Sequence, residues 1–297
     1  MSTPESRTFL AITLALSAVI GFDIMGILVR VLAARGYGVA ELSAYRNVLG
    51  VIPSIVVLIW MREIPLTFQG LAVRRWKLAL FRGVTVAVAQ FSYYTALTLL
   101  ELATISALAQ SNALFVVLLS VVMFGERVGP FRIFALVLGF VGVLLILRPG
   151  TDSFSAAALL PISAAFCYGF SIVSVRFFDA SVPSALLLLY SSVASAIGAI
   201  GIAVFSSGFS PIASVEDMAL IFALAMSGGI AVLLLMFAYR IADPSLLAPF
   251  SYLSILTAFM FGWVIFGEAP VDTLVPGVFL IVGAGAVIIW REQFARH

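Results

Sequence analysis

The chain has 297 residues, of which 63% are apolar and only 10% are charged, with a formal net charge of +2. Soluble domains carry about 25% charged residues, so this composition excludes an ordinary soluble enzyme and offers no basic surface for nucleic acid. The one cysteine, Cys167, and the one histidine, His297, cannot build a disulfide framework or a zinc site. We therefore expect lipid to be the surrounding solvent.

Ten apolar stretches are long enough to cross a hydrocarbon core about 30 Å thick, which takes about 20 helical residues. They are apolar on every face, whereas the strands of a membrane barrel alternate polar with apolar residues. The sequence therefore predicts an all-α membrane protein with ten transmembrane helices. The predicted spans are residues 9–33, 41–60, 77–99, 102–125, 130–147, 155–178, 183–206, 215–240, 244–266 and 273–290.

A short motif, Phe-Gly-Glu, closes the fourth span and recurs at the end of the ninth, at residues 124–126 and 266–268. Each motif precedes a glycine-bearing helix. The first span of each half also ends alike, because Val-Arg at 29–30 matches Val-Arg at 175–176. These matches indicate that the second half of the chain is a copy of the first.

Five spans in each half make the second copy enter the membrane upside down, which relates the halves by a pseudo-twofold axis in the membrane plane. We expect one ten-helix domain over residues 1–297, with a first repeat at 9–148 and a second, inverted repeat at 153–291. Such a repeat suits alternating access to a central site, although duplication could also serve only to build a stable bundle. Since ten spans can enclose a cavity in one chain, we expect a monomer.

The loops on one side of the predicted bundle are much more basic than those on the other. Under the positive-inside rule, this bias predicts that both termini are cytoplasmic. The opposite loops carry only Arg35 and Arg148. The basic side has eleven Lys and Arg residues: Arg7, Arg62, Arg74, Arg75, Lys77, Arg127, Arg132, Arg176, Arg240, Arg291 and Arg296.

With its two halves and their repeated motif, the chain resembles the EamA-type members of the drug/metabolite transporter superfamily. The resemblance covers nearly all residues. It implies ten helices, a cavity lined by the first four helices of each half, a structural role for the glutamate of each motif, and a place in the bacterial inner membrane. Within the superfamily, the chain is most similar to the YddG-type exporters of aromatic amino acids.

The strongest single candidate for a functional residue is Asp23, which lies near the middle of the first predicted span. A carboxyl group at the bilayer midplane costs about 2.5 to 3.5 kcal/mol on insertion scales, so it should face a cavity or a partner. It could bind a substrate ammonium group or carry a coupling proton. The alternative is a structural pair with Arg30 or Arg46. Arg46 itself could attract a carboxylate or extend to the membrane surface.

The remaining candidates are polar and aromatic side chains that fall at similar depths on several helices. Together they suit a neutral or zwitterionic solute with an apolar side chain. Each polar residue could instead bond one helix to another. With Asp23 and Arg46, the predicted substrate or coupling residues are Phe22, Gln90, Tyr94, Asn112, Tyr168, Phe250, Ser251 and Tyr252.

No phosphate-binding loop, metalloprotease motif or nucleophile elbow occurs in the sequence, so we expect neither ATP hydrolysis nor an enzyme, and no cofactor or metal. The favoured function is a secondary transporter that exports small metabolites, most of all amino acids with aromatic or bulky apolar side chains. An exporter of another metabolite or of a cationic drug is the alternative. A passive channel or a membrane-embedded enzyme is the alternative from another class.

Overall fold

The computed structural model describes residues 4–53, 55, 73–125, 130–147, 155–178, 182, 184–206, 208–241, 247 and 250–294. Several predictions made from the sequence fall outside these ranges: the end of the second span, the start of the second repeat at residue 153, Glu126 of the first motif, and Arg62, Arg127, Arg148 and Arg296 of the orientation count. The described residues form helices and no strands.

Twelve α-helices are described, and short segments of other helix types adjoin two of them. The segments Ala156–Ala158 and Ser174–Phe177 are 3₁₀ turns at the two ends of α7, and the π-helical turn Gly262–Phe266 continues α10. The helices are α1 Pro4–Ala34, α2 Val39–Leu49, α3 Trp76–Leu99, α4 Leu102–Ala109, α5 Asn112–Phe124, α6 Pro130–Leu147, α7 Leu159–Val173, α8 Ser184–Ser206, α9 Val215–Ile241, α10 Leu253–Phe261, α11 Val271–Leu274 and α12 Gly277–Phe294.

Five helical stretches in the described part of the chain are long and apolar enough to cross a membrane, and two shorter apolar ones accompany them. Large apolar side chains such as Phe205, Val122 and Phe279 are 92%, 73% and 70% exposed, which is costly in water but natural in lipid. The protein is therefore an integral membrane protein. The five long stretches are Phe9–Ala34, Leu102–Phe124, Ala156–Phe177, Leu189–Ser206 and Val215–Ala238.

The fourth predicted span is not one unbroken helix. It is interrupted between α4 and α5, at Gln110 and Ser111. The hydroxyl of Ser111 donates to the carbonyl of Leu108 at 2.6 Å. A side chain that bonds the preceding turn competes with the helical hydrogen bonds and bends the helix. The polar residues Gln110 and Ser111 thus coincide with a break in the helix.

The helices pack in pairs that join the two halves of the chain. The most extensive pairs are α1 with α9, α3 with α8, and α6 with α12. Lesser contacts join α3 to α7, α2 to α8 and α9, α5 to α7, and α10 to α1 and α4. The largest cluster of buried apolar residues lies where α1, α2, α3, α4, α9 and α10 meet.

Small residues allow the closest of these contacts. A Cβ atom added to Gly83 of α3 would lie 2.4 Å from the carbonyl oxygen of Ser191 and 2.5 Å from the Cβ of Ala194, both on α8. A Cβ added to Gly142 of α6 would likewise lie only 2.7 Å from the carbonyl oxygen of Gly277 on α12. Backbones in a membrane can approach this closely only where side chains are absent.

We predict that Gly83→Ala forces α3 and α8 apart and lowers the free energy of unfolding by about 1 to 3 kcal/mol, the usual cost of overpacking. Gly201→Ala is the matched control on α8, because a Cβ at Gly201 would have no atom within 4 Å. Thermal unfolding in detergent should show a lower midpoint for the first variant only. Equal midpoints for both variants would contradict the close packing of α3 on α8.

Candidate functional site

Three buried polar atoms in the described part of the chain have no hydrogen-bond partner: Oδ2 of Asp23, Nε of Arg46 and Oη of Tyr94. They come from three different helices, α1, α2 and α3. Leaving a buried polar group unpaired costs about 1 to 3 kcal/mol, and more when the group is charged. One unpaired atom each on an acid, a guanidinium group and a phenol inside one bundle therefore marks a place where a solute could supply the missing partners.

Close packing of α1 on the other half of the chain fixes the environment of Asp23. A Cβ on Gly21, half a turn before it, would lie only 3.1 Å from the Cβ of Ala231 on α9. The hydroxyl of Thr257 on α10 lies beside the carboxyl group, and Tyr93 of α3 is near enough to interact with it electrostatically. Neighbouring Phe22 is half-buried against the main apolar cluster.

Tyrosine side chains connect the acid to the guanidinium group. Tyr93, Tyr94 and Tyr168 lie within electrostatic range of one another, and Arg46 lies within range of Tyr94 and Tyr168. Tyr94 is 1% exposed. The order of neighbours is therefore Asp23, Tyr93, the pair Tyr94 and Tyr168, then Arg46. All of these residues except Tyr93 were predicted from the sequence as substrate or coupling residues.

Arg46 reaches inward because a glycine leaves room for it. A Cβ on Gly228 of α9 would lie 3.0 Å from Nε of Arg46 and 2.7 Å from Sδ of Met25. Nη1 of Arg46 donates to Oδ1 of Asn47 at 3.4 Å. The arginine therefore does not extend to the membrane surface, which was one of the two interpretations of the sequence. Gly228 was not singled out by any motif.

Asn47 is the centre of a buried polar network that braces α2, α3 and α8. Its Nδ2 donates to the carbonyl oxygen of Ser43 at 2.8 Å and to Oε1 of Gln90. Its Oδ1 accepts from the hydroxyl of Ser195 at 2.9 Å. The carbonyl oxygen of Gln90, a predicted substrate contact, thus accepts a hydrogen bond from another helix. Asn47 could not be singled out from the sequence, because it directly follows Arg46 and so has no i, i+3 or i, i+4 helical spacing to it.

The other predicted residues form a second group at the break between α4 and α5. Asn112 is the first residue of α5. Nε2 of Gln110 donates to the carbonyl oxygen of Ser251 at 2.9 Å and to the hydroxyl of Ser254 at 2.8 Å. Phe250 and Tyr252, on either side of Ser251, are half-buried. This group joins the two motif-bearing spans and is distinct from the Asp23 and Arg46 group.

Arg30 was considered as a partner for Asp23, and that interpretation is wrong. Its Nη1 forms an ion pair with Oε1 of Glu268, the acid of the second Phe-Gly-Glu motif. Its other nitrogens donate to the carbonyl oxygens of Leu97 and Leu100 at the end of α3. The planar fork of a guanidinium can satisfy a carboxylate and two carbonyls together, so the partners of Arg30 are these three groups and not Asp23.

The glycine of each motif ends its helix in the left-handed conformation, with φ of +64° at Gly125 and +70° at Gly267. Their N–H groups donate to the carbonyls of Val121 and Trp263, at 2.9 and 3.1 Å. Glycine is the residue that adopts this cap without steric cost, which explains its recurrence. Oε2 of Glu268 accepts from the N–H of Leu102 at 3.1 Å and so caps α4, in line with the structural role expected for this acid.

Two cavities open beside these elements, and neither is lined by the predicted substrate residues. One of about 330 Å³ borders the ion pair of Arg30 with Glu268 and includes Glu101 and Thr98. Burial, and after it the carboxylate of Glu268, raises the pKa of Glu101 above its usual range. The other, of about 590 Å³, is almost wholly apolar and lies between α2, α8 and the start of α9. Within the described ranges, no group of three or more potential ligands could hold a metal ion.

The first half of the chain matches a known family, and most of its length matches curated transporters. Residues 9–148 match the EamA-like transporter family. A riboflavin transporter of Brucella anthropi is 29% identical over 82% of this chain and 90% of its own length. An S-adenosylmethionine uptake transporter of Rickettsia felis is 26% identical over 73% of this chain and 72% of its own. These relatives are transporters and not enzymes.

A fourth comparison spans almost the whole chain, and a solved structure shares the fold. A pseudopaline exporter of Pseudomonas aeruginosa is 26% identical over 92% of this chain and 93% of its own length. One solved crystal structure superposes over 95% of both chains with a TM-score of 0.64 at 21% identity. That structural similarity supports the fold and says nothing of function.

We predict that Tyr94→Phe leaves the ligand-free protein as stable as before, or more stable by about 1 to 2 kcal/mol, because it removes a buried hydroxyl that has no partner. Tyr37→Phe is the matched control. The hydroxyl of Tyr37 donates to Asp217 at 3.1 Å and accepts from the N–H of Ala213 at 3.0 Å, so its loss should destabilise the protein.

Thermal unfolding of both variants in detergent checks this prediction. An equal loss of stability in the two variants would mean that Tyr94 already has a partner within the protein. Its hydroxyl would then be unavailable to a solute.

Proposed function

We propose that the chain is a secondary transporter of small metabolites, because its first half matches the EamA-like transporter family and relatives similar to most of its length are transporters. Amino acids with aromatic or bulky apolar side chains are the proposed substrates, and export across the bacterial inner membrane by alternating access is the proposed action. The observation that carries the substrate class is the set of unpaired buried atoms on Asp23, Arg46 and Tyr94.

An amino acid is a zwitterion, and the site offers one partner for each of its charges. The carboxylate of Asp23 suits an ammonium group, and the guanidinium of Arg46 suits a carboxylate. Moving either charge out of water alone would cost several kcal/mol, so both must be met at once. Tyr93, Tyr94 and Tyr168 lie between them and suit an aromatic side chain.

The proposed architecture is ten membrane-spanning helices in two inverted repeats, residues 9–148 and 153–291. The helix contacts support it, because they occur in equivalent pairs when the halves are exchanged. Contact of α1 with α9 corresponds to contact of α7 with α3, and contact of α2 with α9 corresponds to contact of α8 with α3. The pairs α2 with α8 and α6 with α12 each correspond to themselves, and contact of α4 with α10 joins the fourth span to its equivalent, the ninth. A pseudo-twofold axis produces this pattern.

A second candidate substrate is a larger fused-ring metabolite. The likeness to riboflavin and S-adenosylmethionine transporters favours it. The S-adenosylmethionine relative is named for uptake, whereas another relative is named an exporter, so the proposed direction of flux rests on the family resemblance alone. A cationic drug is a further alternative, and its transport should depend on Asp23 far more than on Arg46.

The proposed topology places both termini in the cytoplasm. It follows from the excess of Lys and Arg on one side. One chain supplies all the residues of the site, so a monomer suffices for transport. A passive channel would share the bundle but would show flux without saturation or counterflow.

We predict different losses for Asp23→Asn and Arg46→Gln in counterflow assays with proteoliposomes. Asp23→Asn should lower kcat/KM for phenylalanine and phenethylamine about tenfold or more, and should spare 3-phenylpropionate. Arg46→Gln should lower kcat/KM for 3-phenylpropionate and should spare phenethylamine. A charge-assisted hydrogen bond contributes about 1.5 to 3 kcal/mol, which is about tenfold to a hundredfold in affinity.

Arg35→Gln is the control, since this exposed arginine pairs with Glu216 and Asp217 near the end of α1, away from the site. Labelled riboflavin and a cationic dye test the alternatives in the same vesicles. Transport of either, with no saturable counterflow of phenylalanine, would overturn the proposed substrate class.

A further inference from the structure

The two Phe-Gly-Glu motifs lie at opposite ends of the bundle. Leu102 begins α4 beside Arg30 and Glu268, and Phe124 ends α5 beside Arg176. The 23 residues of this stretch rise about 34 Å at 1.5 Å per residue, which is the thickness of a bilayer core. We name these ends the Arg30 face and the Arg176 face.

At each face an arginine from one half of the chain covers the motif phenylalanine of the other half. The guanidinium carbon of Arg30 lies 4.8 Å from the centre of the Phe266 ring. That of Arg176 lies 4.5 Å from the centre of the Phe124 ring. The two arginines end the first span of their halves, so the contacts are equivalent under exchange of the repeats. We name them the Arg30 clasp, which includes Glu268, and the Arg176 clasp.

The two clasps differ in how tightly they are closed. The side chains of Arg30 and Glu268 are only 13% and 20% exposed, and together they bond α1, the end of α3 and the start of α4. Arg176 is exposed. Equivalent arginines with unequal burial suit a protein that opens one face at a time.

The Arg30 clasp also lies on the route from the proposed substrate site to its face. Arg30 follows Asp23 by seven residues on α1, which puts both on one side of the helix about 10 Å apart along its axis. Beyond the clasp is the cavity of about 330 Å³ that Arg30, Glu101 and Glu268 border. A solute leaving Asp23 along this side of α1 must pass the ion pair.

We propose that the Arg30 clasp is the gate that closes its face during transport, and that the Arg176 clasp is its counterpart at the other face. This inference rests on the alternating access proposed above. Opening breaks the ion pair of Arg30 with Glu268, withdraws the ring of Phe266 and releases the N-terminus of α4. The repeated motif then has a purpose beyond ending a helix: Phe124 holds the first span of the second half, and Phe266 and Glu268 hold the first span of the first half.

The test measures how fast a buried reporter cysteine is reached from the Arg30 face. The background is Cys167→Ala, and the reporter is Ser106→Cys on α4, which is 6% exposed and close to Tyr93. A membrane-impermeant charged thiol reagent is added to intact cells. Thr98→Cys, exposed in the cavity beyond the clasp, is the sidedness control and should react in every variant.

Glu268→Gln should increase the labelling rate of the reporter about tenfold or more, since it removes a charge-assisted bond from the closed state only. Phe266→Leu keeps the ion pair and should give a smaller increase. The matched control is Glu216→Gln, which removes an ion pair at the same face whose acid is 69% exposed, and it should change nothing.

An unchanged rate in Glu268→Gln and Phe266→Leu, with normal labelling at Thr98→Cys, would overturn the gate and leave the clasp as a structural brace. Faster labelling in Glu216→Gln as well would also overturn it, because the whole face would then be loose. If Glu268→Gln fails to accumulate, Phe266→Leu decides. The assay uses no substrate, so failure of phenylalanine counterflow leaves its outcome intact and removes only the substrate class.

Discussion

Charge buried inside an apolar bundle is the constraint on which the rest of this molecule depends. In lipid, a helix satisfies its own backbone but not its ionised side chains, so every buried acid or arginine needs a specific partner. Arg30 has three such partners, the carboxylate of Glu268 and two carbonyl oxygens at the end of α3. Oδ2 of Asp23 and Nε of Arg46 have none, and a zwitterion could supply both partners.

The same constraint explains how the two halves stay joined. Apolar helices gain little from each other relative to lipid, so specific polar contacts decide which surfaces hold together. Those at the Arg30 face link α1 to the second motif and to the first turn of α9, where Arg35 pairs with Asp217 at 2.6 Å. The partner groups of Arg35 raise the pKa of its guanidinium, so this pair stays charged over the physiological range. Ion pairs near water can reform, unlike packed apolar surfaces, and therefore suit a repeated conformational cycle.

Much of the fold could be predicted from the sequence because the lipid environment leaves few choices. Apolar length predicted the helices, and the recurrence of Phe-Gly-Glu is the basis for the proposed duplication. Asp23 and Arg46 could be found because charges within apolar stretches are rare. Asn47 and Gly228 could not, since an asparagine beside a charged residue and one glycine among many become informative only when α2, α3, α8 and α9 are placed together. The pairing of Arg30 with Glu268 spans 238 residues, so no local pattern could reveal it.

The measurement that tests the central claim most directly is a crystal structure of the protein with 4-iodophenylalanine, located by the anomalous signal of iodine. We expect one iodine peak beside Tyr93, Tyr94 and Tyr168, with the ligand carboxylate on Arg46 and its ammonium group on Asp23. Crystals of the Arg46→Gln variant soaked in 4-iodophenylalanine should show no iodine peak at this position. An iodine peak elsewhere, or a fully occupied ligand that contacts neither Asp23 nor Arg46, would contradict the zwitterion site.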